Sequence, residues 1–256
     1  MVSSQMVMLR ITSDTEAGMR LFHVSDLHLK AVHRENEVVR AKLSGIRKQF
    51  GPGDLLVVTG DVTDDGTETQ YRHALEMLMP FQGRIALCPG NHDFGALGNI
   101  YSKECVRRWS NLCAKLGAET LTRVGINGIL TGQILSVDSC LRTGSIVDFA
   151  QGKVGWWQRR TIRSFGKQMR DARYTSIVIL HHNPLYQSWF CRLQDAKQFF
   201  ESTLGVVDYV FMGHEHTYRH HWYPMNLPAS QAQTHYYAAP ALHKADSEPT
   251  IISLKS

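Results

Sequence analysis

Short apolar runs alternate with longer stretches of helical periodicity along most of this chain. Arg20 to Ser25 has the length of a buried strand and ends at Asp26. Val32 to Gln49 repeats its apolar positions with helical spacing, then meets Gly51-Pro52-Gly53, a strong stop. Leu55 to Thr59 is continuously apolar, as in a strand covered on both faces, and delivers Asp61. Glu68 to Met79 reads as a helix closed by Pro80, and Arg84 to Cys88 as a strand leading to Asn91. Strand, helix, strand, helix, strand predicts parallel βαβ units. Lys103 to Leu116 and Trp156 to Arg170 read as helices, and Ile129 to Asp138 as a strand. Ser176 to Leu180 is a buried strand delivering His181, and Ala196 to Leu204 a helix. Val206 to Met212 is a strand running into Gly213-His214, with Tyr236 to Ala239 and Thr250 to Leu254 as closing strands. No repeat, low-complexity tract or linker breaks the pattern. It predicts one domain over residues 1–256, with 1–19 as a leader or first edge strand.

Composition narrows the picture modestly. The apolar fraction of 43% is that of a globular chain, and no apolar run approaches the ~20 residues that span a bilayer. The first residues lack the apolar core of a secretory signal. The five cysteines are an odd number without paired spacing, which predicts a reducing cytoplasm. A net charge of +5 comes from scattered basic residues, with small clusters at Arg107-Arg108 and Arg159-Arg160 that read as solvated surface. Such a field still favours an anionic phosphate substrate.

The chemistry concentrates where the strands end. Five short motifs follow five apolar runs: Asp26-Leu27-His28, Gly60-Asp61-Val62-Thr63-Asp64, Gly90-Asn91-His92-Asp93, His181-His182-Asn183-Pro184 and Gly213-His214-Glu215-His216. The C-terminal edge of an open α/β sheet is where ligands sit. Side chains two apart on an extended segment share a direction, so Asp26 and His28, and likewise His214 and His216, can face one point. Each motif alone is commonly a turn or a surface pair. Together they supply seven O and N ligands, enough for two metals that share a carboxylate. Carboxylate, amide and imidazole without thiolate suit Mn, Fe or Zn, and two such ions clamp phosphate esters.

This motif set resembles the calcineurin-like metallophosphoesterase superfamily over roughly residues 20 to 218. The resemblance implies a four-layered αββα sandwich with two divalent or trivalent metal ions at one edge of the sheets. It implies Asp26, His28, Asp61 and His216 around one metal, and Asp61, Asn91, His181 and His214 around the other, with Asp61 bridging. The metals would supply hydroxide near neutral pH and offset phosphate charge. His92 would be the non-ligand histidine that protonates the leaving group, and Asp64 matches the aspartate that orients it. Asp93 is a second candidate for that support, or else a turn cap. The following Asn183-Pro184-Leu185 aligns His181 as the ligand and leaves His182 beside it, although the family often has proline at position 183. His33 and Arg34 could reach phosphate or begin a solvated helix. His220, His221, His235 and His243 read as surface or packing residues.

Departures from other branches point to a substrate class. Ser/Thr protein phosphatases carry Arg where Asp65 stands, purple acid phosphatases Tyr where Thr63 stands, and UDP-diacylglucosamine pyrophosphatases Arg where His92 stands. The start Phe22-His23-Val24-Ser25-Asp26-Leu27-His28 and the His-His-x-Pro motif look most like the bacterial cyclic-nucleotide phosphodiesterases. The expected partner is a small phosphoester, a phosphodiester such as a cyclic nucleotide; no membrane and no duplex nucleic acid are expected. The alternatives are a broad-specificity phosphomonoesterase and a non-catalytic metal-binding scaffold. The segment Tyr186 to Arg192 has two readings: it overhangs the site, with Trp189 or Phe190 against a base and Arg192 toward phosphate, or it packs a loop onto the sheet.

Overall fold

The apolar runs of the N-terminal half become β1 (Met19–Val24), β2 (Leu55–Thr59) and β3 (Ile85–Cys88), linked through α1 (Glu37–Gln49) and α2 (Glu68–Leu78). The computed structural model describes residues 19–96, 100–126, 129–140, 150–185, 188–223 and 233–254. Residues 1–18 of the expected leader and Tyr186 of the expected overhanging loop lie outside these. A small hairpin, β4 (Gly95–Ala96) and β5 (Ile100–Tyr101), precedes α3 (Lys103–Leu116), and β6 (Leu121–Ile126) and β7 (Ile129–Ser136) follow. The second half is α4 (Trp156–Asp171), β8 (Thr175–Ile179), α5 (Ala196–Thr203), β9 (Tyr209–Met212), β10 (Arg219–Tyr223), β11 (Thr234–Ala238) and β12 (Thr250–Leu254).

Two sheets result, ordered β12-β1-β2-β3 and β10-β11-β9-β8-β7-β6. β1, β2 and β3 run parallel, as do β7, β8, β9 and β11. β12, β10 and β6 are antiparallel to their neighbours. Strand alternation explains the layers. Leu56 and Val58 on β2 face α1, α2 and α3, while Leu55 and Val57 face the other sheet. On β8, Val178 faces α4 and α5, while Ile177 and Ile179 meet Leu21 and Val57 between the sheets. Helices, sheet, sheet, helices make the four-layered αββα sandwich. The family-derived fold expectation therefore holds, with β6 and β10 as strands the apolar pattern did not mark. Both are edge strands of mixed polarity, where one-sided burial leaves little apolar signal.

Local chemistry sets the helix ends. α2 opens on a capping box, in which the Thr67 side chain accepts from Gln70 N–H and Gln70 reciprocates. α3 ends on Gly117 in the left-handed conformation. The expected helix from Val32 begins later, with a 3-10 turn His33–Asn36 leading into α1. Val206 and Val207 do not extend β9, because their N–H groups bond to Thr203 in the turn after α5.

Candidate active site

β1, β2, β3, β8 and β9 all end at one edge, and each passes directly into one of the five motifs. The loops after β1 and β2 lie side by side. Asp26 N–H bonds Gly60 O at 3.1 Å, and His28 N–H bonds Asp61 O at 2.9 Å. The backbone there is not extended. Asp26, His28, Asp61, His214 and His216 all have positive φ, between 43° and 72°. The shared direction of Asp26 with His28 thus comes from left-handed kinks rather than from strand alternation, which corrects the expectation. Asp and His tolerate this region better than most residues, yet each such kink costs on the order of 1–3 kcal/mol. Concentrated here, they aim side chains inward that a regular strand would point to opposite faces. Leu27 turns into the core, fully buried, and Glu215 turns away to pair with Arg219 at 3.1 Å.

The side chains gather in three groups, of which two hold expected ligands only, Asp26 with His28 and His216, and Asp61 with His181 and His214, while the third joins His28 to Asp64 and His92. His216 Nε2 lies 3.2 Å from Asp26 Oδ1, and His181 Nε2 lies 3.2 Å from Asp61 Oδ2. His28 Nε2 stands between the sets, 3.9 Å from Asp26 and 3.6 Å from Asp61. Asn91 is buried and adjoins His92, whose N–H donates to Asp61 Oδ1 at 2.9 Å. All seven expected ligands are thus at the catalytic edge.

Hydrogen bonds behind the rings fix which nitrogen faces inward. His28 Nδ1 donates to Asp64 Oδ1 at 3.2 Å, and His181 Nδ1 donates to the Thr59 carbonyl at 2.8 Å. Carboxylate and carbonyl only accept, so each Nδ1 holds a proton and each ring turns its Nε2 toward the carboxylates. Positive charge between ring nitrogen and carboxylate, from a proton or from a metal ion in its place, completes each contact. His28 Nε2 and His214 Nε2 are buried without hydrogen-bond partners, which is costly unless something else occupies them. The donor set of carboxylate oxygens and imidazoles therefore fits the two metal ions that the resemblance implies.

Electrostatics agree. Burial pushes the Asp26 carboxyl up, but its bond to His216 and the neighbouring His181 and His216 outweigh this and hold it at about 2. Asp61 is likewise held well below the ordinary carboxylate range, burial being outweighed by His181, His28 and His92. Burial opposes charge on His181, but Asp61 and Asp26 raise it to about 9. His214 is lowered to about 4 by burial and by His181. The carboxylates thus stay ionised and attract positive charge into the site.

Two findings depart from expectation, and a third decides between two open readings. Asp64 does not orient His92 through its carboxylate. That carboxylate bonds His28 and pairs with Lys30, while the Asp64 main-chain carbonyl accepts from His92 Nδ1 at 2.7 Å. The reason is backbone direction: with the Asp64 carbonyl turned to His92, its side chain is left facing the β1 loop. Asp93 is a cap, its carboxylate accepting from the N–H groups of Gly90, Val62 and Thr63, so it fastens the second motif to the third. The second departure is His243, read from sequence as surface or packing. Its ring stands 4.9 Å from that of His28 and 5.4 Å from that of His216, and its Nδ1 donates to the Asp26 carbonyl at 2.8 Å. The signal for it is topological: β11 ends at the catalytic edge and antiparallel β12 begins there, so their connection must cross the site. His182 is fully buried behind the ligands, with Nδ1 at 2.9 Å from Ser139 Oγ.

Comparison with known proteins accords with this geometry. The profile of calcineurin-like phosphoesterases matches residues 19–218. A protein of Coxiella burnetii described as a probable cyclic nucleotide phosphodiesterase is 34% identical over 180 residues, covering 65% of this chain and 61% of its own. A glycerophosphodiester phosphodiesterase of Enterobacter lignolyticus is 29% identical over 180 residues, covering 65% of this chain and 58% of its own. The match thus spans about three fifths of either relative's length. Among solved structures, a dimetal phosphatase from Danio rerio superposes with a TM-score of 0.63 at 12% identity, covering 91% of both chains, a likeness of fold.

Proposed function

The chain belongs to the calcineurin-like phosphoesterase family, and from that premise we propose that it hydrolyses phosphodiesters at a two-metal centre. Asp26, His28, Asp61 and His216 hold one ion and Asp61, Asn91, His181 and His214 the other, with Asp61 shared. The observation that carries this is the convergence of imidazole Nε2 atoms on buried carboxylates, with buried polar atoms left unpartnered. Bound there, such ions would supply Lewis acidity toward a water nucleophile and positive charge toward the phosphate.

The chain's own groups do the rest. The Asp64 carboxylate and the Thr59 carbonyl keep His28 and His181 in the tautomer that presents Nε2. Asp93 holds the two loops that carry Asp61, Asn91 and His92 against each other. The Asp64 carbonyl keeps a proton on His92 Nδ1 and leaves Nε2 to protonate the departing alkoxide. A poor alkoxide leaving group is what such an acid serves, and it is the leaving group of a dialkyl phosphate. His243, across His28 from His92, closes the other side of the cluster, anchored through its Nδ1 to the Asp26 carbonyl. The relatives named for cyclic nucleotide and glycerophosphodiester cleavage support a diester over a monoester.

The metals are Mn, Fe or Zn on the donor set, and the five free cysteines suit a cytoplasmic setting. No helix among the described residues is long and apolar enough to cross a membrane. The test is side-by-side kinetics on an aryl diester, the matching monoester and 2′,3′- and 3′,5′-cyclic nucleotides under one metal. A higher kcat/KM for the diester is expected; a tenfold preference for the monoester overturns the reading.

A further inference from the structure

α4 and α5 both begin at the catalytic edge, and the surface at their starts is unusual. Trp156, Trp157, Trp189 and Phe190 are among the most exposed large apolar side chains of the described residues, Trp157 at 74%. They form two pairs, Trp156 against Trp157 with ring centroids 4.4 Å apart and Trp189 against Phe190 at 5.1 Å. The backbone ties the pairs together. Gln151 Nε2 donates to Trp189 O at 2.6 Å, and Gly152 bonds both Arg192 O at 3.1 Å and Gln194 N–H at 2.8 Å.

The same segment touches the active site. Gly152 lies so close to the His182 ring that a Cβ there would collide with it, and that ring stands 4.6 Å from His214. Trp156 follows Gly152 by only four residues. The surface is also cationic. A groove of about 330 Å³ between α4 and α5 is lined by Trp156, three arginines of α4 (Arg159, Arg160 and Arg163), Gln198 and Glu201. Arg159 is tied to Asp195, while Arg160 lies over the Trp156 ring at 5.5 Å.

We propose that this aromatic and arginine-lined rim binds single-stranded nucleic acid and leads its phosphodiester backbone to the metal-binding edge. Exposed rings stack on bases without regard to sequence, and guanidinium groups beside them neutralise phosphates. A cyclic mononucleotide has one base and one phosphate; one aromatic pair at a cationic groove and a second pair tied to the segment that precedes it match a longer strand. Lipid is a poorer fit, because Gln198 and Glu201 share the groove with the arginines and would face acyl chains. The inference rests on the phosphodiesterase reading for what happens to the strand, but not for its binding.

The test separates the two. Metal-stripped protein in chelator is titrated with fluorescein-labelled oligothymidylate, and anisotropy and tryptophan emission are followed. Saturable binding that quenches tryptophan and weakens with salt is expected. Trp157→Ala with Trp189→Ala should weaken it about tenfold or more. Arg160→Glu with Arg163→Glu should weaken it and flatten its salt dependence. The tryptophan variant should keep aryl diester turnover within about twofold, since neither ring belongs to the catalytic cluster. Absence of binding, equal binding by the variants, or sedimentation with anionic vesicles in place of oligonucleotide binding overturns the proposal. Equal loss of aryl diester turnover and oligonucleotide binding in the tryptophan variant, a sign of structural damage at the site, also overturns it. Failure of the phosphodiesterase reading shows separately, as oligonucleotide binding by a protein that does not cleave the aryl diester.

Discussion

Asp61 faces both sets of candidate ligands, within 3.6 Å of His28 and 3.2 Å of His181. Asp61→Ala should therefore lose both metals, whereas Asp26→Ala should chiefly weaken one; elemental analysis of the purified variants checks this, and two ions retained by the Asp61 variant would contradict the assignment. His92→Ala should keep both metals and lose turnover by a factor on the order of 10²–10⁴. The loss should shrink for nitrophenyl esters, which leave without a proton; an equal loss for alkyl esters would assign His92 to phosphate positioning. Asp64 is the case in which residue identity was legible and its role was not. Its carboxylate serves His28 and its carbonyl serves His92. Asp64→Ala should accordingly weaken metal binding, measured by competition with a chelator, while sparing the contrast between good and poor leaving groups that marks His92. The motifs were readable because metal chemistry restricts which residues can serve. A main-chain carbonyl such as that of Thr59 or Asp64 carries no residue signature, so those supports were not.

Strands were legible where both faces are covered. β2 buries all five of its residues, and its apolar run gave its bounds directly. β10 was not, because Arg-His-His-Trp-Tyr at a sheet edge obeys no apolar alternation. His243 was missed for a related reason: only the pairing of β12 with β1, a long-range fact, brings its loop across the site. Within β1, His23 is fully buried, with Nε2 at 2.9 Å from Thr59 Oγ1. Burial, offset only in part by Asp26, lowers it from 6.5 to about 3. Below pH 6.5 the unfolded chain takes up a proton that the folded chain refuses, so stability falls as pH drops from 6.5 toward 3. The slope from this one group is about 1.4 kcal/mol per pH unit within that window. His23→Phe should flatten this acid limb in urea unfolding between pH 6 and 4; an unchanged slope would show that His23 is not its source. At the loop after β3, Gly90→Ala should abolish metal binding, since a Cβ there meets the Asp61 backbone and carboxylate.

The molecule as a whole joins two sheets so that five strand ends from both meet at one edge. Neither sheet alone suffices: β1, β2 and β3 bring Asp26, His28, Asp61, Asn91 and His92, while β8 and β9 bring His181, His214 and His216. The contact between sheets, with Leu21, Val57, Ile177, Ile179 and Phe211 at its centre, therefore sets the distance between the two ligand sets. The alternation of strand and helix foretold parallel βαβ units, but not how the two sheets face each other, which is a property of packing rather than of local pattern. The central claim is that this edge is a two-metal hydrolytic centre with Asp61 shared. Its most direct test is to titrate Mn²⁺ into chelator-stripped protein while following hydrolysis of an aryl phosphodiester. The account predicts no turnover before metal, a rise that levels at two equivalents per chain, and a flat trace for Asp61→Ala. Full turnover in chelator, or a plateau reached with no dependence on Asp61, would contradict it.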